Sequence, residues 1–200
     1  MIDRNFEQLW NKYTNIIEKL EDENINNLIE DQGQRIIEAS YSLKEKEPFC
    51  GIGGVVEFML ELASTAKKLD TALGYEVSSI SILKCCLLSE IGRIGTFNDD
   101  RLVENKSEWH KEKLGLLYDW NEACCRYDVY DMTLWYCQKY NISLTWDEWQ
   151  AIYLLKGRFT EESKFYNTHK SRLGTLLSLS KEVVIKNEID KINLNYTVPF

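Results

Sequence analysis

Apolar residues recur along this chain at helical rather than alternating spacing. Phe6, Leu9, Trp10, Tyr13, Ile16, Ile17 and Leu20 fall at i, i+3, i+4, i+7, i+10, i+11 and i+14, which places them on one stripe of a first helix. Ile25, Leu28, Ile29, Ile36 and Ile37 predict a second helix, or a pair broken around Gly33. "CGIGG", Cys50 to Gly54, follows Pro48 and reads as a flexible hinge opening a helix that carries Val55, Val56, Met59, Leu60, Leu62, Ala63, Ala66 and Leu69. Ser78 and Ser79 are the expected N-caps of a helix with Leu83, Cys86, Leu87 and Ile91, because a serine hydroxyl takes an orphan amide at a helix start; Gly92 and Gly95 stop it.

The polar run "TFNDDRLVENK", Thr96 to Lys106, predicts a loop, and "SEWHKEKLGLLYDWNEACC" after it returns to helical patterning. Asp128 is the expected start of a helix through Leu134 and Cys137. "TWDE", Thr145 to Glu148, has the T-x-x-E order of a capping box, opening a helix that ends near Gly157. Trp146, Trp149 and Tyr153 share a face there and are expected in the core, in preference to a base-stacking platform. A last helix is predicted from about His169 through Val184, and "NLNYTVPF" as an extended tail. The pattern as a whole predicts an all-α protein.

The chain's 200 residues fit one domain, and 44% hydrophobic with 28% charged residues is the balance of an ordinary folded protein. No apolar run approaches the roughly 18 residues of a membrane span, and "MIDRNFEQLW" lacks the order of a signal peptide. These features predict a cytoplasmic protein with no membrane partner. A net charge of −8 disfavours nucleic acid as a partner. Cys50, Cys85, Cys86, Cys124, Cys125 and Cys137 make no C-x-x-C spacing, so core packing in a reducing compartment is expected in place of zinc or a disulfide framework.

Four segments, "GGVVEFML" (Gly53 to Leu60), "LLSEIGRIG" (Leu87 to Gly95), "WQAIYLLKGRF" (Trp149 to Phe159) and "LLSLSKEVV" (Leu176 to Val184), occur in this order. They resemble the HD-domain metal-dependent phosphohydrolases, particularly the compact versions carried by bacteriophages. The resemblance spans about Gly53 to Lys186 and implies a single compact HD-like helical domain over 51–190. Residues 1–50 would then be an N-terminal helical extension packed on it, and 191–200 a C-terminal tail. In that family these segments bring a first histidine, an adjacent His-Asp pair, a histidine-containing turn and a last aspartate. Here the matched positions hold Phe58, then Ser89 and Glu90, then Leu155 and Lys156, then Lys181.

The family's chemistry needs a divalent ion that activates water and polarises a phosphoryl oxygen, and of the matched residues only Glu90 is a ligand type suited to such an ion. His110 and His169 lie at no matched position. The resemblance therefore implies a pseudoenzyme with no catalytic residue, no metal and no cofactor. Arg93, Lys156 and Lys181, with Glu90 and Ser89, form the expected ligand-binding set, since guanidinium and ammonium groups contact phosphate directly. The expected partner is a nucleotide or another phosphorylated small molecule, bound without hydrolysis; in a phage setting, in host cytoplasm, that would sequester a host signal. A competing expectation makes Glu90 a polar staple paired with Lys181 or Arg93, with Phe58 and Leu155 filling the former pocket.

Two other classes remain open at this point. One is a protein-interaction module, for instance an inhibitor of a host protein, using the N-terminal amphipathic helix and the aromatic tail Tyr196 to Phe200; co-purification from the native host would reveal it. The other is a phosphohydrolase with a relocated metal held by carboxylates among Asp99, Asp100, Glu104, Glu122 and Asp128, which metal analysis would detect.

Overall fold

The first helix, α1 (Phe6–Ile17), starts where the Asn5 side chain accepts a hydrogen bond from the Gln8 amide at 2.9 Å, and its apolar stripe faces inward through Tyr13 and Ile17. Here and throughout, the protein is described from a computed structural model that covers residues 4–157, 161, 164–166 and 169–196, the side chains of 195 and 196 excepted. After a 3-10 turn at Glu18–Leu20, α2 (Glu23–Glu38) runs through Gly33 without a break. Gly33 is there because Trp10 crosses it: a Cβ would lie 2.9 Å from the indole ring.

Helix α3 (Gly54–Leu73) is the central element and packs against α1, α2, α4 (Ser79–Leu88) and α8 (Arg172–Tyr196). Val56, Phe58, Met59 and Leu62 on α3 are fully buried, together with Cys86 and Leu87 on α4 and Leu176 and Leu177 on α8. Each such aliphatic or aromatic side chain contributes roughly 1.5–3 kcal/mol on burial. Tyr13 of α1 belongs to the same core and donates its hydroxyl to the Leu87 carbonyl at 2.9 Å. Between α4 and α8 come a 3-10 turn at Ile91–Ile94, α5 (Glu108–Leu114), α6 (Val129–Lys139) and α7 (Trp146–Tyr153), which continues into a 3-10 turn at Leu154–Lys156. Among the described residues no helix is long and apolar enough to cross a membrane.

Of the described residues 65% are helical and 5% in strands, so the helical class holds while several local expectations are corrected. Leu102–Glu104 is a short strand, β1, paired antiparallel with β2 (Tyr118–Trp120), Leu102 facing Trp120. Gly115, at φ 63°, ends α5 after 7 residues, and the segment beyond it turns to strand, with Leu117 donating to the Leu43 carbonyl. Cys124 and Cys125 accordingly lie in a loop, Cys125 exposed.

The "CGIGG" run is a packed junction rather than a hinge. Gly53 donates to the Ile37 carbonyl at 2.8 Å, and a Cβ on Gly54 would sit 1.8 Å from the Phe49 carbonyl oxygen. Helix α8 also overruns its expected end at Val184, because Ile185 and Ile192 continue its inward face. Residues 193–196 are therefore helical and not an extended tail, and 197–200 lie outside the described residues. All six cysteines are free thiols, and burial pushes that of Cys137 up to about 12.

Candidate functional site

The site is assembled where α4 ends. A Cβ on Gly92 would fall 2.0 Å from the Val129 carbonyl oxygen, so the absence of a side chain lets α6 close onto this turn. Thr133 of α6 locks the approach: its hydroxyl accepts from the Gly92 amide at 2.9 Å and donates to the Ser89 carbonyl at 3.1 Å. Asp128 caps α6 by accepting from the amides of Tyr130 and Asp131. Tyr130, at the first turn, is thereby aimed at Glu90.

Glu90 is fully buried. Its Oε2 accepts from Arg93 Nε at 2.5 Å and its Oε1 from the Tyr130 hydroxyl at 3.0 Å. The Tyr130 oxygen in turn accepts from Lys181 Nζ, which also donates to the Leu155 carbonyl at 2.8 Å. On the other side, the Arg93 guanidinium lies 3.7 Å from the Tyr41 ring centroid and donates to the Tyr41 carbonyl at 2.8 Å. Tyr41 stacks on Phe58 with centroids 4.5 Å apart. Residues from all four segments quoted above thus belong to one contact chain: Phe58, Tyr41, Arg93, Glu90, Tyr130, Lys181, Leu155.

The electrostatics follow from two cations sharing one buried carboxylate. Burial is the largest influence on Arg93 and opposes its charge, but Glu90 together with Tyr41 and Tyr130 outweighs it and holds the guanidinium ionised. Lys181 falls below the ordinary lysine range: burial lowers it most, Glu90 works against that, and Arg93 adds to the lowering. Burial, then the Glu90 charge, drives Tyr130 well above the usual phenol range, so it remains a hydrogen-bond donor to Glu90.

This donor set does not fit a divalent cation. Both Glu90 oxygens are taken, a guanidinium and an ammonium flank them, and Phe58 is fully buried against aromatic rings. No group of three or more His, Cys, Asp or Glu side chains that would hold a metal occurs among the described residues. Asp100 is instead paired with Arg35, Glu104 with Lys111, and Asp99 accepts from Thr96 in its own loop. His110 lies on α5 and His169 precedes α8, on separate elements.

Beside this staple lies a cavity of about 860 Å³ between the Leu154–Lys156 turn and α8. Lys156, Lys170, Lys181 and Glu182 line it with the apolar Leu155, Leu179 and Ile185. An ammonium has three donors, and Leu155 and Tyr130 occupy two of those on Lys181. Lys156 is held by Asp131 at 2.9 Å and Asp128 at 3.8 Å and lies 3.9 Å from the Tyr153 ring centroid. Burial works against its charge, but Asp131 and Asp128 prevail and raise its pKa.

Of the sequence-selected residues, the structure brings Glu90, Arg93 and Lys181 into one network and Lys156 and Lys181 to one cavity. Ser89 stays outside both: it is fully buried, and its hydroxyl donates to the Cys86 carbonyl at 2.9 Å. Tyr130, Tyr41 and Lys170 were not singled out by sequence. Tyr130 has one signal that points to it, its place two residues after the capping Asp128; the other two have none.

The aromatic stripe of α7 is also corrected. Trp146 is 62% exposed, and Trp146, Trp149 and Tyr153 stack ring on ring at 5.2 and 4.8 Å on the outward face. Common periodicity puts residues on one face without saying which, and Ala151, Ile152 and Leu155 fill the core side. In comparisons with protein-family models, curated proteins and solved structures, the chain has no significant match.

Proposed function

We propose that this protein is an HD-like domain that binds a nucleotide or another phosphorylated small molecule in the cavity beside Lys181 and does not hydrolyse it. The observation that carries the reading is the meeting of Lys156 and Lys181, from different segments, on a cavity that Lys170 also lines. Ammonium groups around a partly apolar cavity match an anionic group attached to an organic body. A phosphate there would also relieve the electrostatic cost at Lys181, whose charge is disfavoured by burial and by Arg93. The convergence of the four segment positions supports the HD-like part, and the Arg93–Glu90–Tyr130–Lys181 staple supports the absence of metal-assisted hydrolysis. Binding without turnover sequesters the ligand.

A thermal-shift screen across mono-, cyclic and oligonucleotides tests this. A ligand at about 100 times its Kd adds ~2.7 kcal/mol, and each kcal/mol moves Tm by roughly 2–4 °C for a protein of this size. At least one compound is expected to raise Tm by several degrees, and Lys156→Gln to shrink that rise. A flat response to every compound contradicts the reading.

A further inference from the structure

On the other side of Arg93 is a second, much smaller cavity of about 60 Å³. It is lined by guanidinium-bearing side chains from three parts of the chain: Arg35 of α2, Arg93 of the turn after α4, and Arg101 just before β1. Two of these are neutralised and fully engaged in structure. Arg35 pairs with Asp100 at 2.7 Å and donates to Gln32 and the Ile94 carbonyl; Arg93 pairs with Glu90.

Arg101 differs. Its side chain makes no hydrogen bond or ion pair among the described residues, and its Nε is buried without an acceptor. Its guanidinium is held 4.4 Å from the Trp120 ring centroid, and Arg126 lies 4.2 Å from that same ring centroid. Burial lowers its pKa most and Arg93 lowers it further. A guanidinium presents its terminal donors as a planar fork suited to a tetrahedral oxyanion, and those of Arg101 have no protein acceptor among the described residues.

We infer that this cavity is a binding site for a small free oxyanion of the phosphate or sulfate class, with Arg101 as its main ligand. One water needs roughly 10–15 Å³ of such space, so 60 Å³ holds a few waters or one tetrahedral oxyanion and has no room for a nucleoside. The site is distinct from the lysine-lined cavity, and its occupancy does not depend on the ligand proposed there.

The test titrates the full chain with sodium phosphate against sodium chloride at matched ionic strength, following heat of binding and the unfolding midpoint. Phosphate is expected to bind and to raise the midpoint beyond chloride. Arg101→Gln is expected to weaken it at least tenfold. Asp100→Asn, at a side chain that is 62% exposed, removes a competing charge without disturbing the core and is expected to tighten it severalfold, which keeps the test alive if the Arg101 variant folds poorly. The part of phosphate binding that depends on Arg101 is expected to persist in Lys156→Gln. Equal midpoints in phosphate and chloride, meaning a water-filled cavity, overturn the inference. So does a phosphate effect that is the same in Arg101→Gln as in the wild type, or one that disappears with Lys156→Gln.

Discussion

Replacing Glu90 by glutamine is expected to destabilise the protein by about 3–5 kcal/mol, the cost of leaving buried charge without its counter-ion. The carboxylate is fully buried and binds Arg93 directly and Lys181 through the Tyr130 hydroxyl. With it gone, the guanidinium and the ammonium face each other across a neutral amide. The contrasting substitution is Lys181→Met. It removes one of two cations and leaves the Glu90–Arg93 pair intact, so the loss is confined to the Tyr130 and Leu155 acceptors and should be about 1–3 kcal/mol. Urea unfolding of both variants measures the difference. Equal losses, or a milder effect at Glu90, would show that the two cations do not depend on this carboxylate.

Phe58→Ala is expected to cost about 3–5 kcal/mol, the usual range for emptying a buried aromatic site. Phe58 is fully buried, stacks on Tyr41 and meets Phe49 edge-on at 5.5 Å. Because Tyr41 also carries the Arg93 guanidinium, the substitution loosens the staple as well as the core. Phe58→His restores the residue type that the resemblance places there. It should still destabilise, since burying a polar ring without a partner costs roughly 1–3 kcal/mol, and Mn²⁺ should not rescue it. Recovery of the wild-type midpoint on adding Mn²⁺ would reveal a latent metal site that the arrangement of Glu90, Arg93 and Lys181 argues against.

Helix boundaries set by side chains were legible in the sequence. Ser78, Asp128 and Thr145 cap the helices they were expected to cap, and Thr145 with Glu148 forms the capping box. These signals are local, so a single sequence carries them. Where the outcome depends on what lies across the fold, the sequence was mute. Gly33 looks like a break until Trp10 is seen against it, and "CGIGG" looks loose until Phe49 and Ile37 close on it.

The hairpin was missed because β1 and β2 are short, 3 residues each, and their pairing spans an intervening helix. The candidate site divides in the same way. Glu90, Arg93 and Lys181 stand at positions that the resemblance selects, and they do meet. Tyr130, which joins Glu90 to Lys181, and Arg101, which lacks an acceptor, become visible only when α6 and the β1 loop are folded against the end of α4.

Calorimetric titration of nucleotides and other phosphorylated compounds, in chelator and again in Mn²⁺, with the ligand recovered and its phosphate bonds analysed, separates binding from hydrolysis. A compound that binds equally well in both conditions and returns intact, with affinity reduced at least tenfold by Lys156→Gln, is the predicted result. Failure of every compound to bind, or binding that requires Mn²⁺ and ends in a cleaved phosphate ester, would contradict it.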